Sequence, residues 1–225
     1  MTFQQPRVSP WWLVAPAALF LLNFVGGAIS GGSDQSNAVY QLSLIAQTAV
    51  FDLLLAVYVV FAAWRSGGPV PATLALRRVP LWPAVRLVAV AAVGLTVFEL
   101  AIDPLTGAGQ KQGIAPTHAP HDRHQQIALA VSLVVLVVLA PIAEELMFRG
   151  LCFAAMGRYA LPGSAALFAL AHGLPVLLVP IFVAGLVLGW VRSRSGSLYP
   201  GMAVHMTLNA VAIAAALATA SARLC

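Results

Sequence analysis

Charged side chains are scarce in this chain of 225 residues. Asp, Glu, Lys and Arg make up 8% of it, where a soluble domain carries about 25%. So few charges cannot cover a water-facing surface, which excludes an ordinary soluble globular domain. Cysteine is limited to Cys152 and Cys225. That excludes a disulfide framework and leaves a small core residue and a free terminal thiol. Internal repeats and low-complexity tracts are missing too. The net charge is +5, but it is not gathered into a basic stripe. Its arginines stand singly or in pairs in short loops between apolar runs, which argues against a nucleic-acid partner and for the positive-inside bias of a membrane protein.

What fills the chain is hydrocarbon. Hydrophobic residues make up 60% and mean hydropathy is +0.90. Seven apolar segments stand out, at about Trp11–Ser30, Val39–Trp64, Ala84–Ile102, Ile127–Met156, Gly163–Leu174, Val176–Val191 and Leu198–Ala220. A spanning helix needs about 20 apolar residues. Five segments meet that. The fifth and sixth are short and punctuated by Pro175 and Pro180, and form either a tight helical hairpin or one re-entrant element. The expected fold is an all-α polytopic membrane protein of about seven transmembrane helices, a single domain over residues 1–225 whose partner is the lipid bilayer. An "AIS" before Gly31 would pass as a signal cleavage site, but the length of the first apolar run favours an uncleaved span.

With seven spans, Arg7, Arg65, Arg77, Arg78, Arg158, Arg192 and Arg194 share one side. Asp34, Asp103, Lys111, Asp122, Arg123 and Arg223 share the other. The expected placement is an N-terminus in the cytoplasm and a C-terminus outside, in a bacterial inner membrane. The loop "DPLTGAGQKQGIAPTHAPHDRHQQ" is expected to be exposed, and its His118, His121 and His124 solvated rather than metal-bound.

A few polar groups interrupt the apolar segments. An ionisable side chain at mid-membrane costs roughly 2.5–3.5 kcal/mol on insertion scales, so each should face the bundle interior with a partner. "LAPIAEELMFRGL" carries Glu144, Glu145 and Arg149. Glu145 and Arg149 are i and i+4 and can pair; Glu144 points about 100° away on a helix of 3.6 residues per turn and is left for another task. "LFALAHG" carries Phe168 and His172 one turn apart, and "AVHMTLNA" carries His205 and Asn209 on one face. Three separate segments each contribute titratable or hydrogen-bonding groups, the pattern of an intramembrane site. Asp52 and Glu99 are expected to pair with basic side chains, line the cavity or bind a partner, structural pairing being favoured over catalysis; Arg86 and Asp103 are expected to snorkel near helix ends, and Asn23 to hydrogen-bond between helices.

The order EE-x-x-x-R, F-x-x-x-H, H-x-x-x-N resembles the CPBP family, the CAAX-prenyl-protease-like and bacteriocin-processing (Abi) intramembrane proteases. All three motifs stand intact, within a catalytic core at about 140–215; residues 1–135 share only membrane character. The resemblance implies peptide-bond hydrolysis at or within the membrane on a membrane-associated or lipidated protein or peptide. Glu144 and His172 are similar to the family's water-activating pair and His205 and Asn209 to its oxyanion-stabilising pair, with Glu145, Arg149 and Phe168 in support. Metal dependence stays open. Glu144, His172 and His205 are also a plausible zinc set with one open position, while Asn209 is a poor zinc ligand and no H-E-x-x-H is present, so no cofactor is favoured. Two other functions fit the same residues: a non-catalytic scaffold or immunity-like protein, in which they form a buried polar network, and a proton-coupled transporter, against which stands the lack of an inverted repeat of broken helices.

Overall fold

The computed structural model describes residues 6–30, 37–106, 116 and 118–222. Asp34, Lys111, Arg223 and Cys225 lie outside them. The described residues are helical, without a strand among them. After a 3₁₀ turn at Pro10–Leu13 come α1 (Val14–Ser30), α2 (Leu42–Arg65), a single turn α3 (Val70–Thr73) and α4 (Leu81–Thr106). Then α5 (Arg123–Val134), α6 (Ala140–Glu145) and α7 (Cys152–Met156) run on from one another, joined by π-helical stretches at Val135–Leu139 and Leu146–Leu151. A 3₁₀ turn at Gly157–Tyr159 leads to α8 (Ala160–Ala171), followed by α9 (Leu178–Ser195) and α10 (Tyr199–Ala222).

Six stretches are long and apolar enough to cross a membrane, rather than seven; one of them is the 49-residue path Arg123–Ala171. The difference lies in the fifth segment. Helix α8 has only 12 residues, about 18 Å at 1.5 Å per residue, against a hydrocarbon core of about 30 Å. It packs along α9 as the first arm of a helical hairpin. Pro175 opens the connecting 3₁₀ turn. Pro180 sits in the first turn of α9, where its missing N–H would have had no helical partner.

The chain has a basic end and an opposite end. Val8 N–H donates to Ala154 O (3.0 Å) and Leu198 N–H to Ala75 O (3.1 Å). Arg77 Nε donates to Gly196 O (2.7 Å) and Ser197 Oγ to Arg77 O (2.7 Å). These contacts gather the neighbourhoods of Arg7, Arg65, Arg77, Arg158, Arg192 and Arg194. The α8–α9 hairpin begins and ends there, and α10 starts there. At the opposite end Tyr40 Oη donates to His118 O (2.7 Å), and burial pushes the Tyr40 hydroxyl pKa upward. His118 and His121 stack 4.3 Å apart there, and Asp122 caps α5 by accepting from Gln125 N–H (2.8 Å).

The outer surface carries the large apolar side chains, among them Leu22, Ile29, Leu54, Val57, Val90 and Leu100. That is a lipid-facing girdle and the inverse of a soluble surface. Exposed Trp11, Trp64 and Trp82 stand at or near helix ends on the basic side, as an interfacial aromatic belt does. Residues 145–152 are buried on every side, which puts this segment at the centre of the bundle.

Helices α8 and α9 approach closely where Gly185 meets Ala165: a Cβ at Gly185 would lie 2.9 Å from Ala165 Cα. Gly94 in α4 has nothing near such a position. Gly185→Val is therefore expected to destabilise by about 1–3 kcal/mol through overpacking. Gly94→Ala should stabilise by about 0.5–1 kcal/mol through helix propensity. Unfolding of both variants in detergent checks the pair; equal stabilities would show that the α8–α9 approach is not close-packed.

Candidate active site

The site is built outward from Arg149. Its Nη1 donates to Glu145 Oε1 at 2.8 Å, both side chains fully buried, and its Nη2 donates to Gly185 O at 3.2 Å. The guanidinium lies 4.3 Å from the centre of the Phe168 ring, a cation–π contact strengthened by the absence of water. Arg192 Nε donates to Arg149 O (3.2 Å), tying α9 to the same strand of helix. Arg192 was expected among the loop arginines. It is instead buried, 4% exposed, because the last turn of α9 packs on the Arg149 backbone and on Phe153.

Glu145 and Arg149 thus form the i, i+4 pair that their spacing predicts. Glu144 stays partly open, its side chain 24% exposed. His205 of α10 reaches both carboxylates: Nε2 lies 3.5 Å from Glu144 Oε2 and Nδ1 lies 3.5 Å from Glu145 Oε1. Both distances are at the long limit of hydrogen bonding, and they are ion pairs only when the ring carries a second proton. Buried Glu145 Oε2 and His205 Nδ1 have no hydrogen-bond partner.

The second motif contributes a hub. Phe168 meets Phe148 (5.1 Å), His172 (4.8 Å) and His205 (5.7 Å) edge-on, and receives Arg149 on its face. His172 Nδ1 lies 2.8 Å from Phe168 O. A carbonyl only accepts, so Nδ1 carries the proton and Nε2 of the neutral ring keeps a lone pair. Asn209 Nδ2 donates to Leu136 O at 2.8 Å. Leu136 belongs to the first π-helical stretch, where the 3.6-residue ladder is disturbed and carbonyls fall open to outside donors.

Arg149, His172 and His205 therefore surround the Phe168 ring, Glu145 and Glu144 join through Arg149 and His205, and Asn209 lies a turn beyond His205. Among the described residues the ion-pair contact of Glu144 is with His205 and none is with His172. Among the described residues no three His, Cys, Asp or Glu side chains form a group that could hold a metal ion. The His118–His121 stack is not such a group either. Cys152 is a buried free thiol in the core.

Two acids outside the motifs also face the site. Asp52 of α2 is 3% exposed with Oδ2 unpartnered, and its charged neighbour is Glu144. The expected pairing with a basic side chain is not what the fold gives it. Glu99 of α4 faces His205 and Asp103. The signal in the sequence was their isolation, each the single acid in the interior of an otherwise apolar span.

Arg149→Met is expected to lower stability by about 3–5 kcal/mol, because it strands a buried Glu145. The double variant Glu145→Gln/Arg149→Met should recover most of that loss. Thermal unfolding in detergent reads both, and additive losses would show that the pair is not coupled.

No curated protein and no solved structure matches the chain. A family model does, over residues 126–211, a segment that contains all three motifs and every motif residue of the site. That model is described as Rce1-like, type II CAAX prenyl endopeptidase Rce1-like; this segment of the chain is similar to that family, and it is the segment that carries the CPBP-like motifs.

Proposed function

We propose that the protein is an intramembrane endopeptidase in which Glu144 is the general base, acting on a membrane-associated or lipidated peptide. The observation that carries this reading is the asymmetry of the two glutamates. Glu145 is fully buried against Arg149, while its neighbour Glu144 stays partly exposed and lies 3.5 Å from His205. Hydrolysis of an amide needs an activated water and donors for the oxyanion. Glu144 takes a proton from water, with His172 Nε2 as the second acceptor holding that water in line. The hydroxide oxygen bonds to the scissile carbonyl carbon, and its oxygen becomes the oxyanion. His205 donates one N–H to that oxyanion. Asn209 donates its second N–H, the first being engaged with Leu136 O. As the intermediate collapses the C–N bond breaks, and protonated Glu144 returns its proton to the leaving amine.

The same reading places the basic end in the cytoplasm of a bacterial inner membrane, following the arginine distribution. The N-terminus is then cytoplasmic and α10 leaves toward the outside. It needs no metal.

Purified protein in detergent is offered quenched peptides with and without a lipid chain. Glu144→Gln should lose about 10²–10⁴-fold in kcat and Asn209→Ala about 10²–10³-fold, with unfolding temperatures close to wild type. A metal chelator should leave wild-type cleavage unchanged. Retention of full cleavage by Glu144→Gln would sink the reading. Loss with chelator and recovery with zinc would turn Glu144, His172 and His205 from base and donors into ligands.

A further inference from the structure

Helix α1 lies outside the segment matched by the family model, and its outer face is bare to lipid. The stripe it turns toward α8 runs Pro16, Phe20, Asn23, Gly27, at spacings of three and four; Pro16 and Phe20 are buried, Gly27 is half-buried, and Asn23 stays exposed at the edge of the contact. That stripe docks on α8 and on the turn that follows it. Two contacts there concern His172.

One is a cap. The last turn of a helix leaves four carbonyls without helical donors. In α8 these belong to Phe168, Ala169, Leu170 and Ala171, and each has a partner. His172 Nδ1 serves Phe168 O (2.8 Å). His172 N–H serves Ala169 O (3.3 Å) and Gly173 N–H serves Leu170 O (3.1 Å). The fourth donor comes from another helix: Asn23 Nδ2 donates to Ala171 O at 2.9 Å. The other contact is steric. A Cβ at Gly27 would lie 1.8 Å from Gly173 O, and one at Gly173, whose φ is +75°, would lie 2.7 Å from Asn23 Nδ2. Helix α1 therefore bears directly on the residue after His172. The same stripe reaches the ring system as well, since Phe20 packs on Phe148 at 5.4 Å and Phe148 packs on Phe168.

We propose that α1 is a working part of the site, with Asn23 as a positioning residue that holds His172 through the cap of α8 and Gly27 setting the approach that lets it do so. The functional consequence rests on the reading of His172 as a water acceptor. Removing the Asn23 donor frees Ala171 O, which then competes for the N–H groups of the turn. The backbone at His172 shifts, and the Nδ1–H bond to Phe168 O that aims Nε2 is weakened. A polar side chain on a lipid-facing helix is costly unless it is satisfied, and the Asn23 amide finds an acceptor by docking on α8.

Three variants separate positioning from plain stability: Asn23→Leu, which keeps size and removes the donor; Gly27→Ala, which pushes α1 off Gly173; and Gly26→Ala, a control where an added Cβ meets nothing. Histidine 15N spectra in micelles report the His172 tautomer, assigned by its loss in His172→Gln. Wild type and Gly26→Ala should show His172 fixed as the Nδ1–H form. Asn23→Leu and Gly27→Ala should show a mixture, with kcat down about 10–100-fold, as for a misaimed catalytic group, and KM within about 2-fold. The proposal is overturned if folded Asn23→Leu and Gly27→Ala keep the wild-type tautomer signal and kcat, whatever happens to their melting temperature. If Gly27→Ala does not fold, Asn23→Leu decides alone. If wild type cleaves no peptide, the protease reading falls, and the tautomer signal still decides whether α1 holds His172.

Discussion

The cost of placing charge inside a membrane governs this structure. Arg149 cannot snorkel from the centre of the bundle, so its charge has to be met where it stands. Glu145 meets it one turn away at 2.8 Å, Gly185 O accepts a second N–H, and the face of Phe168 receives the guanidinium plane. Each of these partners pins a different element: Glu145 pins α6, Gly185 pins α9 and Phe168 pins α8. A pair of this kind adds little net stability, because desolvation offsets much of the attraction. What it does is fix registry. Three helical elements cannot slide without stranding a charge, and the aromatic hub that His172 and His205 lean on is fixed along with them.

Neutralising one glutamate also defines the other. Adjacent residues on a helix point about 100° apart, so Glu144 cannot share Arg149 on the same terms. It lies beside His205, and another acid, Asp52, also faces it. A carboxylate without a cation at this depth is expensive, and structural stability supplies no reason to keep it. That is why the reading of Glu144 as a reactive group outweighs that of a packing residue: a scaffold would be served better by an apolar side chain.

Much of this was written in local spacing. The membrane character follows from composition, the Glu145–Arg149 pair from an i, i+4 interval, and the His172 and His205/Asn209 faces from the same periodicity. What local spacing does not carry is where a helix stops being α-helical. "VLVVL" and "LMFRGL" look like ordinary apolar helix, yet both widen to π, and the first presents Leu136 O to Asn209. Nor does an apolar run show its depth; the fifth and sixth segments read as short, but their pairing as α8 and α9 and the return of α9 to the basic end come only from the packing. Arg192 read as a loop arginine because its acceptor, Arg149 O, is 43 residues away. Asp52 read as half of an ion pair because an isolated acid in a span usually finds a base, whereas here its neighbour belongs to the site.

The site divides between two parts of the chain. The groups proposed to touch the reacting atoms all come from 126–211, the stretch matched by the family model. Some of the groups that surround them come from before it: Asn23 on α1, Asp52 on α2 and Glu99 on α4. The division has a physical basis. Reacting groups need fixed mutual distances, and a short contiguous stretch of packed helices holds those best. Caps, electrostatic neighbours and lipid-facing closure need only reach the stretch from outside, and many sequences can do that with an apolar helix bearing one well-placed polar residue. Hence the first 125 residues carry no motif and still decide how His172 is held and which charges Glu144 faces.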